Sequence, residues 1–300
     1  MEDDFLNNDA VILVLLSALA HSTWNFLVKR SKYPVFSSIA LSFFSLALNI
    51  AISFFFGVVE SIDSNVWPYL ISTFVIHATY FVLLGKAYRD SDLSSAYPIA
   101  RGIGLAGIPI LASIFTDDII SILGLLGILF IFFGVMLVSV FDQHHIKQIF
   151  SRKYVSGVNI SRGLMFSIGT GLIISTYSII DSVAVSLIHP ILYMNFVFGG
   201  GLLSLIFLIW SKEYRLQDFK IAIYSGWKLL FICGICSCLA YLLVLEAYTL
   251  SQVSYVGPFR EIGVVFGVLL AYIALKEKIS FIKIIGIINI MIGAVIISVS

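Results

Sequence analysis

Three charged residues of this sequence lie inside long apolar stretches. Arg101 is part of SSAYPIARGIG, and the adjacent Arg260 and Glu261 are part of SYVGPFREIG. An ionisable side chain in the middle of a membrane costs at least about 2.5–3.5 kcal/mol, so it normally faces a protein interior or a water-filled cavity and has a partner there. We therefore expect Arg101 and Glu261 either to form a structural ion pair or to contact a substrate or a coupling proton.

Polar and aromatic side chains in other apolar stretches share helical faces, because they are three or four residues apart. Aromatic faces suit apolar or cationic groups, and an arginine suits a carboxylate or a phosphate. Together they predict a cavity for an amino-acid-like zwitterion or another small polar metabolite. The residues are His21, Trp24 and Asn25; His77 and Tyr80; Tyr97 and Arg101; Tyr177 and Asp181; and Tyr241.

Four titratable residues are candidates for proton coupling: His21, His77, Asp181 and Glu261. Three of these residues also have an alternative interpretation. His77 fits a structural histidine held by hydrogen bonds, and Asp181 fits a solvated helix end. Glu261 fits the structural ion pair with Arg101.

A proline lies three residues before each of two matched charges. Pro98 precedes Arg101, and Pro258 precedes Glu261. Each proline removes a helix hydrogen bond, and the freed carbonyl must be satisfied inside a helix bundle. We interpret Pro98 and Pro258 either as tolerated first-turn prolines or as hinge candidates.

Composition restricts the class of protein. The chain has 300 residues, of which 60% are hydrophobic and 12% charged, and its mean hydropathy is +1.04. A soluble domain is nearer half apolar and a quarter charged, so we predict an all-α polytopic membrane protein. The net charge of +1 suggests no nucleic-acid partner.

The sequence also lacks the motifs of several functional classes. It contains no Walker motif, no HExxH and no G-x-S-x-G, so we predict neither an enzyme nor an ATP-driven pump, and no cofactor. Cys233, Cys236 and Cys238 lie in one apolar stretch without a nearby histidine or fourth cysteine. Because a structural zinc site needs four such ligands, we predict no metal site.

Ten segments meet the requirement of about 20 mostly apolar residues for a membrane span. The longest polar connection separates the fifth segment from the sixth. We predict a first five-helix repeat over 1–145, a cytoplasmic linker over 146–162 and a second five-helix repeat over 163–300. The segments are 10–28, 34–58, 66–86, 93–115, 119–141, 163–186, 190–210, 226–248, 253–275 and 279–299.

Basic residues are concentrated in alternate connections. Of the 18 lysines and arginines, 16 lie in or beside the odd-numbered connections, and the other two are Arg101 and Arg260. Because Lys and Arg are enriched on the cytoplasmic side, we predict a multi-pass protein of the inner or plasma membrane with both termini outside.

The two halves are related in sequence, at offsets of 160 and 153 residues. Because each half has five helices, an odd number, the second copy is inverted. Inverted repeats are typical of secondary transporters, whose site lies near the midplane between the halves. The matches include Pro98 with Pro258, Arg101 with Glu261, and Ser22-Thr23-Trp24 with Ser175-Thr176-Tyr177.

Three motifs carry a family resemblance: HSTWNFLVK in the first span, AYRDSDLSSAYPIARG at the third and fourth, and AYTLSQVSYVGPFREIGVVFG at the eighth and ninth. With them the sequence resembles the EamA family of the drug/metabolite transporter superfamily. The resemblance implies a secondary carrier of small metabolites with a cavity lined by helices 1, 3, 4, 6, 8 and 9. The substrate-binding residues that it implies are Trp24, Asn25, Tyr80, Tyr97, Arg101, Tyr177, Tyr241, Arg260 and Glu261.

We therefore predict a secondary-active transporter, importer or exporter, that moves a small polar metabolite by alternating access, with proton coupling or exchange. Its expected partners are the solute and the lipid bilayer. The alternatives are a lipid or lipid-linked sugar flippase with the same fold, and a membrane subunit without transport of its own. Because ten helices can enclose a cavity in one chain, we expect a monomer or a homodimer. Known members of the superfamily usually place both termini in the cytoplasm, opposite to the orientation that the charges predict.

Overall fold

The computed structural model describes residues 6–29, 31, 34–58, 61–90, 93–140, 162–210, 215–276 and 279–300. These residues form ten helical segments, of which the ninth is divided by a short 3-10 turn. The helices are α1 (Asn8–Lys29), α2 (Pro34–Phe55), α3 (Trp67–Asp90), α4 (Leu93–Phe115), α5 (Ile122–Val140), α6 (Arg162–Val185), α7 (Pro190–Trp210), α8 (Leu216–Leu250), α9a (Val253–Phe259), the turn Arg260–Ile262, α9b (Gly263–Leu275) and α10 (Phe281–Ser298).

The prediction of an all-α polytopic membrane protein is confirmed. Eight helical segments are long and apolar enough to cross a membrane, and α4 and α5 contain shorter apolar stretches, Ile99–Phe115 and Ile122–Val138. Large apolar side chains such as Phe54 and Ile122 are more than four-fifths exposed on the outer surface, as expected of helices that face lipid. The predicted linker, 146–162, lies outside the described residues except for Arg162, so the boundaries of the two repeats stay a prediction.

Polar groups at the helix ends explain several of the helix boundaries. The Ser280 hydroxyl accepts a hydrogen bond from the Lys283 N–H and caps α10, and a serine is a preferred residue for that position. Asp118 Oδ2 accepts from the Ser254 N–H, at 2.9 Å, in the first turn of α9a. The carboxylate thereby satisfies a helix donor and complements the positive end of the helix dipole.

Helix α8 is longer than its predicted span. It begins at Leu216 rather than near 226, and at 35 residues it measures about 52 Å, against about 30 Å for the hydrocarbon core. Its first turns contain Asp218 and Lys220. A span predicted from apolar composition leaves out these charged residues, whereas a helix that projects beyond the membrane can include them.

The helices of the two halves pack reciprocally. Helix α1 packs on α8 and on α9b, and its counterpart α6 packs on α3 and α4. Helix α2 packs on α7 and α5 on α10, so each of these helices meets its own counterpart. A two-fold axis between the halves requires this pattern, because it places equivalent helices in equivalent surroundings.

Glycines bring α5 and α10 into direct backbone contact. A Cβ on Gly127 would lie 3.0 Å from the Gly293 carbonyl oxygen, and one on Gly134 would lie 2.7 Å from the Gly286 carbonyl oxygen. Gly127, the earlier residue of α5, meets Gly293, the later residue of α10, so the two helices are antiparallel. Small residues allow this close approach, which is a common way for helices to associate in a membrane.

Two serines make matching contacts at the other helix junctions. The Ser22 hydroxyl lies 2.6 Å from the Gly263 carbonyl oxygen and 2.7 Å from that of Ala18. The Ser175 hydroxyl lies 3.1 Å from the Gly171 carbonyl oxygen and 3.5 Å from that of Ile103. Ser22 and Ala18 correspond to Ser175 and Gly171 at the offset of 153, and Ile103 corresponds to Gly263 at the offset of 160. The contacts thus follow both sequence offsets.

We predict that Gly134→Ala destabilises the protein, because the new methyl group would lie 2.7 Å from the Gly286 carbonyl oxygen and 2.8 Å from the Ile290 nitrogen. Overpacking of this kind costs about 1–3 kcal/mol. Gly267→Ala is the matched control, since a Cβ there meets nothing within 4 Å. Thermal unfolding of the purified protein in detergent measures the difference, and equal melting temperatures for the two variants would contradict the α5–α10 contact.

Candidate functional site

A cavity lies between the two halves of the bundle. The space between its atoms is about 570 Å³, including the open space at its mouth. Side chains from α1, α2, α3, α6, α7, α8 and the turn Arg260–Ile262 line it. They are His21, Trp24, Leu41, Ser42, His77, Tyr80, Phe81, Tyr177, Val197, Phe198, Ser237, Ala240, Tyr241 and Arg260.

A break in the ninth span presents the charged residues. Pro258 lies in the last turn of α9a, and the 3-10 turn Arg260–Ile262 follows it directly. A proline removes a helix hydrogen bond, and a 3-10 stretch inside a helix often marks a hinge. In contrast, α4 is continuous from Leu93 to Phe115 across the corresponding positions. Of the two hinge candidates, Pro258 therefore lies beside a local 3-10 turn, while the backbone on both sides of the turn stays right-handed helical.

Arg101 and Glu261 form an ion pair, with 2.5 Å between Arg101 Nη1 and Glu261 Oε1. The Glu261 side chain is only 8% exposed. The two residues occupy equivalent positions in the two repeats, so a two-fold axis between the halves brings them together. Their opposite charges make that meeting favourable, because each neutralises the other away from water.

His21 lies between two arginines. Its Nε2 is 3.3 Å from Arg101 Nη2, and its Nδ1 is 3.4 Å from Arg260 Nη2. A guanidinium can only donate, whereas a neutral imidazole has one acceptor nitrogen. His21 can therefore accept from one arginine at a time, and a protonated His21 would add a third positive charge to the group.

Two buried polar atoms of this charged group have no hydrogen-bond partner among the described residues. They are the donor Arg260 Nε and the acceptor Glu261 Oε2. Burying such atoms unpaired is costly, and native proteins rarely do so without a reason. Arg101, Arg260 and Glu261 together carry one excess positive charge, and Arg260 faces the cavity.

Aromatic rings form much of the cavity wall. The ring of Tyr177 lies 4.9 Å from that of His77 and 5.9 Å from that of Tyr80. The ring of Tyr241 lies 6.0 Å from that of Phe198, and Trp24 stands edge-on to His21 at 5.0 Å. These distances are typical of favourable aromatic contacts, which hold the rings in place around the cavity.

A second polar group lies behind this wall. Asp181 is only 2% exposed and accepts hydrogen bonds from Tyr193, at 2.6 Å, and from Tyr241, at 2.5 Å. His77 Nε2 lies 3.0 Å from the same Tyr241 hydroxyl. Asp181 is therefore not the solvated helix end that one interpretation of the sequence predicted.

The structure brings most of the predicted site residues together. Trp24, Tyr80, Tyr177, Tyr241 and Arg260 line the cavity. Arg101 and Glu261 are linked to it through His21 and the adjacent Arg260.

Of the predicted substrate-binding residues on α1, Asn25 does not line the cavity. The Asn25 amide donates instead to the His21 carbonyl oxygen of its own helix, at 2.8 Å. Tyr97 and Pro98 belong to α4, but their side chains lie outside the described residues.

Sequence reasoning missed several residues of the site. Tyr193 fitted an interface anchor on α7, but it is completely buried and donates to Asp181. Thr73, one turn before His77, also contacts this group. Helices α2 and α7 contribute Ser42 and Phe198 to the cavity, although the family resemblance did not imply them. Serine, threonine and phenylalanine are common in membrane helices, so no local pattern distinguishes these positions.

Among the described residues, no three His, Cys, Asp or Glu side chains lie close enough to hold a metal ion. The three cysteines on α8 are free thiols, and Cys233 and Cys238 are buried. Cys233 directs its sulfur toward the Trp24 carbonyl oxygen at 3.9 Å, which is a packing contact between α8 and α1.

Comparisons with known proteins agree with this architecture. Residues 161–299 match the model of the EamA-like transporter family. A solved crystal structure superposes on this chain with a TM-score of 0.74 and 15% sequence identity. The match covers 97% of this chain and 96% of the other. No match to a curated protein was found. The family match supports the resemblance seen in the sequence for residues 161–299, and the structural likeness shows that the two chains share a fold over nearly their whole length.

We predict that Arg101→Ala and Glu261→Ala each lower the free energy of unfolding by about 3 kcal/mol, because each leaves a buried charge without its partner. The double variant should lose much less than the sum, since neither charge remains. Denaturant or thermal unfolding of the four proteins in detergent gives the coupling energy. Additive losses would show that the ion pair contributes nothing to stability.

Proposed function

We propose that this chain, whose residues 161–299 belong to the EamA-like transporter family, is a secondary-active transporter of a small, amino-acid-like zwitterion. The family match supports a membrane transporter of the drug/metabolite superfamily. The substrate class and the alternating-access mechanism are our inference from the cavity.

One observation carries the substrate class. Arg260 and Glu261 are adjacent, and each has one buried polar atom without a hydrogen-bond partner among the described residues. The free Arg260 Nε–H is a cationic donor that suits a carboxylate, and the free Glu261 Oε2 is an anionic acceptor that suits an ammonium group. An α-amino acid carries these two groups on one carbon atom. Its binding would satisfy both protein atoms, and its carboxylate would offset the excess positive charge.

The remaining walls of the cavity suit the side chain of such a substrate. Tyr80, Tyr177, Phe198 and Trp24 present aromatic surface, which can bury an apolar or cationic side chain. The Arg260 guanidinium would bind the carboxylate and fix the orientation of the bound molecule.

The break after Pro258 supports alternating access. The 3-10 turn between α9a and α9b contains Arg260, which lines the cavity, and Glu261, which pairs with Arg101. Rotation at the turn would move Arg260 relative to α1, whose His21 it contacts. In this mechanism, substrate binding replaces a contact with His21 and biases the hinge, because a ligand shifts a conformational equilibrium through its differential contacts.

We predict that the purified protein binds L-amino acids, detected by thermal shift across the 20 proteinogenic amino acids, since a ligand stabilises the fold that binds it. The methyl ester and the N-acetyl derivative of the best ligand each remove one charge and should bind much more weakly. Equal binding of the three compounds would contradict the zwitterion site.

We predict that Arg260→Gln weakens amino-acid binding about 10- to 150-fold, which corresponds to about 1.5–3 kcal/mol for a hydrogen bond to a charged group. Lys228→Gln is the matched control, because it removes the same charge from an exposed position on α8. Flux into proteoliposomes separates the alternatives. A flippase would translocate labelled lipid without amino-acid flux, and a non-transporting subunit would show neither.

A further inference from the structure

The hydrogen bonds of His77 determine which of its nitrogens is protonated. His77 Nδ1 lies 2.9 Å from the Thr73 carbonyl oxygen and 3.0 Å from the Thr73 hydroxyl. A carbonyl oxygen can only accept, so we assign a hydrogen to Nδ1, with the Thr73 hydroxyl as a second acceptor. The state of the other nitrogen, Nε2, then depends on Tyr241, whose hydroxyl lies 3.0 Å away.

The Tyr241 hydroxyl has one hydrogen but two hydrogen-bond partners. Its hydroxyl lies 3.0 Å from His77 Nε2 and 2.5 Å from Asp181 Oδ2. If Tyr241 donates to an ionised Asp181, His77 must donate to Tyr241 and is therefore a cation. If Tyr241 donates to a neutral His77, Asp181 must be protonated and donate to Tyr241. In both arrangements Asp181 and His77 share one proton. This proton is additional to the hydrogen on His77 Nδ1 and to the hydroxyl hydrogen of Tyr241.

The fully deprotonated pair does not fit this geometry. With Asp181 ionised and His77 neutral, both partners of Tyr241 are acceptors, and a single hydroxyl hydrogen cannot satisfy both. One of the two contacts would then bring lone pairs together in a buried site, where an unmade hydrogen bond is costly. The observed contacts therefore require one shared proton.

From this proton count we infer that Asp181, Tyr241 and His77 form a single proton-binding site that couples transport to proton movement. The inference rests on the proposed transport function. When the proton moves from His77 Nε2 to the Tyr241 oxygen, the hydroxyl proton of Tyr241 moves to Asp181 Oδ2. Tyr241 is neutral before and after, and only the position of the proton changes.

The site joins three helices from both halves of the protein. His77 is on α3, Asp181 on α6 and Tyr241 on α8. Loss of the proton breaks a contact of α8 with either α3 or α6. Proton binding can therefore change how α8 packs against the other two helices, which is the kind of rearrangement that alternating access requires.

The proton reaches this site from the cavity. His77 and Tyr241 line the cavity, whereas Asp181 lies behind them at 2% exposure. Tyrosine hydroxyls stay protonated at neutral pH, and the positive charge of Arg260 opposes the binding of a second proton. The other titratable or charged groups around the site are Tyr80 on α3, Tyr177 on α6, Tyr193 on α7, Tyr248 on α8, His21 on α1 and Arg260 on the turn.

Two tyrosine variants provide a matched test. Tyr241→Phe and Tyr193→Phe each remove one hydroxyl that donates to Asp181, but only Tyr241 also contacts His77. Proteoliposomes that contain the pH-sensitive dye pyranine receive a mixture of the 20 L-amino acids, of which one is radiolabelled in each run. We expect coupled proton movement in the wild type, a loss of at least 10-fold in the number of protons moved per amino acid in Tyr241→Phe, and an unchanged ratio in Tyr193→Phe.

The outcomes separate this inference from the proposed function. Amino-acid flux without proton movement in the wild type would overturn the proton site and leave the transporter intact. The absence of amino-acid flux would overturn the proposed function. Equal loss of coupling in both tyrosine variants, or no loss in either, would also overturn the assignment to Tyr241.

A measurement without substrate tests the proton count directly. Nitrogen-15 NMR of histidine-labelled wild-type protein, with His77→Gln for assignment, reports the protonation of each ring nitrogen. We expect Nδ1 of His77 to be protonated throughout, Nε2 to titrate once, and this titration to change in Tyr241→Phe but not in Tyr193→Phe. An unprotonated Nδ1 would overturn the proposal.

Discussion

A charge in the apolar middle of a membrane needs a partner, and this constraint organises the protein. Arg101 and Glu261 occupy equivalent positions in the two halves, and they meet at 2.5 Å where α4 approaches the broken ninth span. The pair joins the two repeats beside Arg260, which lines the cavity. Arg260 adds a second positive charge, and in the proposed site this excess favours a negative group.

The packing of the two halves is nearly reciprocal, but their chemistry is not. At the sequence offsets that relate the repeats, Tyr241 corresponds to Phe81 and Asp181 to Val28. Two members of the polar group, Tyr241 and Asp181, therefore correspond to apolar side chains in the other half. A pseudo-two-fold scaffold can thus hold an asymmetric site, since symmetry is needed for helix packing but not for the side chains that face the cavity.

The proposed substrate site and the proposed proton site share one wall. Tyr177 faces the cavity and lies against His77, 4.9 Å between ring centroids, while Arg260 lies beside His21. A negative group near Arg260 and a proton near Asp181 would bind around the same space. Their charges would be mutually favourable across it, because a nonaqueous cavity screens electrostatic interactions weakly.

Much of the fold could be predicted from the sequence, because membrane spans are determined by local composition. The ten apolar segments, the two repeat offsets and the isolated charged residues can all be identified from the sequence alone. Local composition did not predict the break at Arg260–Ile262 or the extension of α8 to Leu216. These features depend on a proline in its tertiary context and on a helix that continues beyond the apolar core.

The same distinction between local sequence and tertiary structure applies to the candidate site. The residue types that could do chemistry, Arg101, His77, Asp181, Arg260 and Glu261, were evident from the sequence, because such side chains are costly in an apolar span. Their partners were decided by the tertiary structure. Tyr193 joins Asp181 rather than the membrane surface, and Asn25 bonds to its own helix. A hydrogen bond depends on distances of a few tenths of an ångström between side chains from different helices, and the spacing of residues within one helix contains no such information.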